Sequence, residues 1–387
     1  MGNWFDHENP IAGSFGPSGL VGPPNDQPAV GDLCADPDVR SLDGARHRRL
    51  AVPADHRATN LDLVTGAFSF SGARIAELLL ESGREVRTLT YHPERQHPLR
   101  ARIEAFPYRF DDPSALARSL EGVTTLYNTY WVRFERGRTT FATAVANSEA
   151  LFEAARRAGV ARIVHVSIAN PSIDSSLPYY RGKALVERAL AVSGVPYSIV
   201  RPTWFFGGRD ILTNNIAWVV RHLPVFVVPG DGQYLVQPIH VDDFAQICLR
   251  AARGVTDAIT DAAGPDTMTY EQLVRAVRDA LGRRTPILHA SPAVVVALSH
   301  ALGVVVRDVV LTADEIRGLT DGLLVSQQPA LGRVSFLEWL KENASTLGRA
   351  YANELDRHFP RARMISSHLK SRARAGDERI PRRARLG

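Results

Sequence analysis

Apolar positions first keep a regular period at residue 61. Leu61–Thr65 reads as a short strand that stops at Gly66, and from Ala73 to Glu81 the positions Ala73, Ile75, Ala76, Leu78 and Leu79 recur at helical spacing. A second strand pattern follows over 85–90. The alternation continues with strands predicted over 107–110, 124–128, 162–167 and 197–201. Helices are predicted between them over 113–120, with Asp112 as N-cap, and over 143–158. Strands alternating with helices imply an α/β fold, a doubly wound parallel sheet whose ligand crevice lies at the strands' C-terminal ends. After Arg201 the alternation becomes irregular. A helix is expected over 211–221 and another near Asp242. Later ones start at Thr269, Pro292, Thr312 and Ser335, with a strand over 286–289, so a smaller, mostly helical C-terminal lobe should pack over the strand ends.

The junction after the first strand has its own chemistry. A strand, a tight turn and a helix start gather free backbone N–H groups at the positive end of a helix dipole, which suits a pyrophosphate. Gly66 permits the turn and Gly72 lets the helix approach the strand, with Phe68, Ser69 and Phe70 between them. Ser69 stands at the middle position of the glycine spacing; it is small, and its hydroxyl can donate to a phosphate. The second strand begins about twenty residues after the first, as a βαβ unit requires. At its end, where a carboxylate selective for NAD would hold the ribose diol, the chain has Thr90, Tyr91 and His92. Nothing there repels a 2′-phosphate, so NADP is the preferred cofactor and NAD the alternative. Arg95 or His92 could meet that phosphate, although Arg95 reads equally well as solvated surface. The chain thus divides into an extension (1–58), rich in Gly, Pro and Asp and read as disordered, and a dinucleotide-binding Rossmann domain (59–255) with substrate-lobe insertions after 203. A C-terminal substrate lobe (256–360) and a tail (361–387) follow.

Composition narrows the class. With 45% hydrophobic and 22% charged residues the chain is globular, and 387 residues suffice for two lobes. Cys34 and Cys248, far apart, make neither a disulfide framework nor a metal cluster, and residues 1–6 lack the basic and apolar regions of a secretory signal, so a cytoplasmic location is expected. The net charge of +5 arises in the tail: residues 361–387 hold nine Arg or Lys against Asp377 and Glu378. Such a tail could attract nucleic acid or an anionic membrane, but no aromatic residues interleave the charges, so no specific nucleic-acid surface is indicated and a solvated tail is the simpler reading. The stretch 292–306 is apolar, yet shorter than the roughly twenty residues of a span. A buried or lipophilic-ligand-facing helix is expected there, with weak membrane-surface contact as a lesser reading.

Tyr179 and Lys183, four apart at a helix start, share one helical face. A phenol titrates near pH 10 and needs a neighbouring cation to exchange protons near neutrality, which Lys183 can supply. With Thr65–Gly72, Glu153–Val160, Arg162–Ser167, the Tyr179/Lys183 pair, Arg201-Pro202-Thr203 and Ile239–Asp243 in order, the chain resembles the extended, atypical branch of the short-chain dehydrogenase/reductase superfamily, with its epimerase/dehydratase-like and NmrA-like members. The resemblance covers about residues 59–255. It implies that Tyr179 is the general acid/base, that Lys183 is its electrostatic partner and a ligand of the nicotinamide ribose, and that the Pro202-Thr203 backbone lies near the nicotinamide.

The family's serine or threonine usually lies two residues beyond Ser167, at the position of Ala169 here. Either Ser167 orients the substrate carbonyl, or Asn170 or Ser172 substitutes, or that hydrogen bond is missing. Asn128 is a candidate cofactor ligand or a strand-end cap. His240, Asp242 and Asp243 in isolation resemble a proton-relay or metal cluster, whereas the family resemblance implies a structural segment with Asp242 or Asp243 capping the next helix. Trp131, Trp204, Phe205 and Phe206 could line an apolar pocket for a small-molecule substrate or pack between lobes, and Arg133, Arg209 and Arg221 could hold an anionic group or lie on the surface. The expected activity is hydride transfer between nicotinamide and a carbonyl or alcohol. The alternatives are a nucleotide-sugar epimerase/dehydratase and a non-catalytic NAD(P)-binding regulatory or structural subunit.

Overall fold

A computed structural model of the chain describes residues 60–358; the proposed extension and basic tail fall outside the described residues. Six strands alternate with helices as the pattern predicts: β1 (Leu61–Thr65), β2 (Glu85–Thr90), β3 (Glu104–Pro107), β4 (Thr125–Asn128), β5 (Arg162–Val166) and β6 (Tyr197–Pro202). With Ala258–Ala262 as a seventh strand they form one sheet in the order seventh–β6–β5–β4–β1–β2–β3, and every neighbouring pair is parallel. The order reverses between β1 and β4, which opens a crevice at their C-terminal ends.

Two strands differ from expectation, both at sheet edges. β3 lies three residues before the predicted 107–110, because Tyr108 and Phe110 leave the sheet to stack on each other and pack at a tilt against Tyr130. The seventh strand has only its last two residues buried and carries no apolar run, and it takes the sheet past residue 255.

Helices α1 (Phe70–Glu81), α2 (Pro113–Ser119), α3 (Phe141–Arg157) and α4 (Pro178–Ala191) make the crossovers. Ile75, Ala76 and Leu79 of α1 pack with Phe244, Ala245 and Cys248 of the helix Val241–Ala252 in one core. Leu116, Leu151, Phe152, Val186 and Leu190 of α2, α3 and α4 build the other. Each buried Val, Leu, Ile or Phe side chain among them contributes about 1.5–3 kcal/mol. Asp112 caps α2 as expected, and Thr140 caps α3, its hydroxyl accepting from Thr143 N.

The second lobe has its own core, including Trp204, Phe206, Leu273, Val277, Phe336 and Trp339. Three of its helices start behind the predicted polar residues: Thr269 and Thr312 form reciprocal capping boxes, and Ser335 caps the helix Phe336–Asn343. The helix after β6 is Leu212–His222, one residue later than expected. At Val241–Ala252 the cap is His240, not an aspartate. Its Nδ1 accepts from Asp242 N, which leaves Asp242 to bind Arg74 and Asp243 to accept from the backbone of Arg333 and Val334.

A C-terminal arm ties the two parts. Asn214 and Asn215 hold the carbonyls of Ala350 and Ala352, and the Asp308 carboxylate accepts from Tyr351 and from the backbone of Glu354 and Leu355. On the sheet side, Arg133 binds both Glu315 and Glu354, and Arg95 Nη1 donates to the Arg357 carbonyl.

Candidate dinucleotide and carbonyl site

The turn after β1 is built tightly. Gly66 has φ +65°, and a Cβ on Gly72 would overlap the Gly66 carbonyl. Only glycine meets both demands. α1 begins at Phe70, three residues before the predicted helix, so Ser69 is its N-cap. The Ser69 hydroxyl makes no capping bond, and its backbone N donates to Gly66 O at 2.8 Å. Phe68 is buried, with its ring 5.3 Å from that of His97, and Phe70 meets Phe205 edge-on. Thr129, just beyond β4, donates through both its N–H and its hydroxyl to Thr65, which fixes the crevice between β1 and β4.

The remaining candidate ligands fall into two groups. Thr90 is buried and its hydroxyl accepts from His92 N. Arg95 lines a cavity of about 440 Å³ with Tyr91, His92 and Arg357 at the end of β2. The guanidiniums of Arg95 and Arg357 and the His97 imidazole are all held below their usual pKa, first by burial and then by the nearby charge of Arg209. Asn128, by contrast, is fully buried. Its Oδ1 accepts from Thr65 and Tyr130 N, and its Nδ2 meets His165 Nδ1 at 3.1 Å, so its amide joins strand ends. Pro202 and Thr203 are buried too, and the Thr203 hydroxyl donates to the Gln237 carbonyl.

Tyr179 and Lys183 sit on the first turns of α4. Lys183 is 3% exposed, and its Nζ donates to the Val166 carbonyl at 2.8 Å, the residue before Ser167. Burial pushes the Lys183 ammonium down to about 7, against a smaller upward pull from Glu187. Burial also pushes the Tyr179 phenol up. Trp131 lies at this same place. Lys183 Nζ stands 4.7 Å over its ring, and Tyr179 meets both Trp131 and Phe141 edge-on. Gly182 makes room for the indole, because a Cβ there would lie 2.9 Å from it. Ser167 Oγ, Trp131 Nε1 and His165 Nε2 are buried with no hydrogen-bond partner among the described residues.

Other residues proved structural. Trp204 and Phe206 belong to the second-lobe core, Arg133 is spent on two carboxylates, and Arg221 donates to the carbonyls of Ala344 and Leu347. Asn170, at φ +54°, donates to the carbonyls of Leu323 and Val325, and Ala169 is fully buried. The role of Trp131 as a cap on Lys183 had no sequence signal beyond the aromatic itself. A second cavity, about 430 Å³ and lined by Val145, Glu149, Arg188 and Val192, lies between α3 and α4, on the outer helix layer.

A parallel sheet with a switch point, a two-glycine turn and buried polar atoms awaiting partners defines a dinucleotide-binding Rossmann protein. Residues 66–222 match the protein-family model described as NAD(P)H-binding. Among curated relatives, the chain is 27% identical over 190 residues to the photosystem II assembly factor Ycf39 of Cyanidium caldarium, covering 49% of this chain and 60% of that protein. It is 26% identical over 227 residues to a (4-alkanoyl-5-oxo-2,5-dihydrofuran-3-yl)methyl phosphate reductase of Streptomyces griseus, covering 57% and 74%. The chain thus spans about three fifths of the first of these relatives. The triphenylmethane reductase of Citrobacter sp., solved with NADP(H), superposes with a TM-score of 0.61 at 16% identity, over 73% of this chain and 99% of that one, which shows a shared fold. The solved structures that share the fold include nucleotide-sugar epimerases and reductases, the kinds of protein the motifs implied.

Proposed function

We propose that the protein is an NADP(H)-preferring oxidoreductase that reduces a small apolar carbonyl compound at the mouth of β5. The observation that carries this reading is the bond from Lys183 Nζ to the Val166 carbonyl. It pins α4 to the end of β5 and brings Lys183 beside Ser167, whose hydroxyl is unpartnered, with Tyr179 one turn earlier on the same helix. The Gly66–Gly72 cradle and these orphaned polar atoms fit a dinucleotide. Gly66, Phe68, Ser69, Phe70 and Gly72 would hold its pyrophosphate, and Arg95 with Thr90 would face its ribose end.

Bound nicotinamide supplies the hydride. Tyr179 holds the proton destined for the substrate oxygen, and a phenol raised by burial stays protonated, as reduction requires. Ser167 donates to that oxygen in place of the side chain lost at Ala169. Loss of one such donor costs on the order of 10²-fold. Trp131 and Phe141 give the mouth an aromatic lining.

Trp131 also favours a second reading, a dinucleotide-binding protein without turnover, because its ring covers Lys183 and borders Tyr179. Titration with NADPH and with NADH, followed by turnover of carbonyl substrates, separates the two. Tight NADPH binding and turnover lost in Tyr179→Phe, with affinity kept, support the oxidoreductase. Binding without turnover supports the second reading, and binding of neither nucleotide sinks both.

A further inference from the structure

The helix Pro292–Val306, expected to be buried, buries only Val295, Ser299 and Gly303. Positive charge without a counter-charge gathers elsewhere, at the cavity of about 440 Å³ beside the end of β2. Arg95, from the loop after β2, and Arg357, from the C-terminal arm, both line it. Arg95 Nη1 donates to the Arg357 carbonyl at 3.0 Å, and Arg357 Nη1 donates to the Arg209 carbonyl at 2.7 Å. Backbone carbonyls thus hold both side chains in place, and neither takes part in an ion pair among the described residues. A guanidinium carries five N–H donors, so most of theirs remain for a ligand. His97 adds another donor nearby. Its Nδ1 accepts from Leu99 N, so Nε2 carries the proton, and that nitrogen is buried with no partner among the described residues.

Cations held this close repel one another, and an anion between them removes the repulsion and gains charge-assisted hydrogen bonds. Burial, and then the Arg209 charge, hold Arg95 and His97 below their usual pKa; Arg357 is lowered in the same way against upward pulls from Glu354 and Asp210. Glu94 and Asp356 also line the cavity, but both are exposed and screened by water, whereas Arg95 and Arg357 are half-buried. The ring contact between Phe68 and His97 joins this loop to the glycine turn. A dinucleotide with its pyrophosphate in that turn sets its adenosine ribose at the end of β2. The anion it can bring there is a 2′-phosphate.

Resting on the dinucleotide reading above, we propose that Arg357 completes, with Arg95, a guanidinium clamp for the 2′-phosphate, so that the C-terminal arm and not the Rossmann domain alone selects NADP over NAD. Calorimetric titration of the full chain with NADPH, NADH, 2′,5′-ADP and 5′-AMP tests it. Arg357→Met should weaken NADPH and 2′,5′-ADP by at least about tenfold and leave NADH and 5′-AMP within about twofold, and Arg357→Lys should restore part of the loss. Tight NADPH binding that Arg357→Met leaves unchanged overturns the clamp and spares the dinucleotide reading. Equal losses for NADPH and NADH also overturn it, because the arm then acts through the fold. So does inorganic phosphate that binds the native chain as tightly as 2′,5′-ADP does. A native chain that binds none of the four nucleotides overturns clamp and reading together. Should Arg357→Met fail to fold, amide hydrogen exchange at residues 350–357 of the native chain decides. Exchange slower with saturating NADPH than with saturating NADH supports the clamp, and equal protection overturns it.

Discussion

A methyl group on Gly72 has nowhere to go, because the Gly66 carbonyl fills its place. Gly72→Ala should therefore destabilise the protein by about 1–3 kcal/mol and cost at least about tenfold in dinucleotide affinity, read by thermal melting and calorimetric titration. Lys183 makes a prediction in pH. Its folded pKa, about 7, lies below the 10.5 of an ordinary lysine, so between those values the unfolded chain binds the extra proton. Stability from this residue therefore rises with pH from about 7 to about 10.5 and is flat below, where both states are charged. Denaturant titrations across that range should show the rise in the native chain and lose it in Lys183→Met. Gly72 was singled out by the glycine spacing, and Lys183 by its spacing from Tyr179 together with its place one connection after the fifth strand. Trp131 was legible only as an aromatic that could line a pocket: its contact with Lys183 links residues far apart in sequence, and no local pattern encodes that. Arg133 was misleading for the same reason, since its two carboxylates, Glu315 and Glu354, come from distant segments.

At the scale of elements, the sequence revealed what has a buried face. β1, β4, β5 and β6 are flanked on both sides in the sheet, and their apolar runs placed them within a residue or so. β3 and the seventh strand lie at the edges. With little to bury, they carry no apolar run, so one was displaced and the other missed. The helix starts at Asp112, Thr269, Thr312 and Ser335 were legible, those at Ser69 and Thr140 were missed, and an aspartate was read as the cap where the His240 imidazole does the work. Thr312 caps the helix Ala313–Thr320, which carries Glu315 to Arg133. Thr312→Ala should cost about 1 kcal/mol in thermal or denaturant unfolding, because it leaves the Glu315 N–H without its partner.

For the whole molecule, the C-terminal arm adds a tie between the sheet and the second lobe to those made by Asn170, Thr203 and Asp243. It is anchored in the second lobe through Asn214, Asn215 and Asp308, and on the sheet side through Arg95 and Arg133. Arg133→Met would remove the cation that binds Glu315 and Glu354. Because these groups are partly exposed, the expected loss is on the order of 2 kcal/mol, less than for a fully buried pair. Arg357, on the same arm, stands at the cavity beside β2 and donates to the Arg209 carbonyl. Detachment of the arm is therefore predicted to speed the release of a nucleotide seated there. Its dwell time then becomes a clock set by the arm's detachment rather than by the nucleotide's own contacts. Stopped-flow release should quicken in Arg133→Met while equilibrium contacts in the glycine turn stay intact, and urea far below the unfolding midpoint should shorten the dwell time in the native chain.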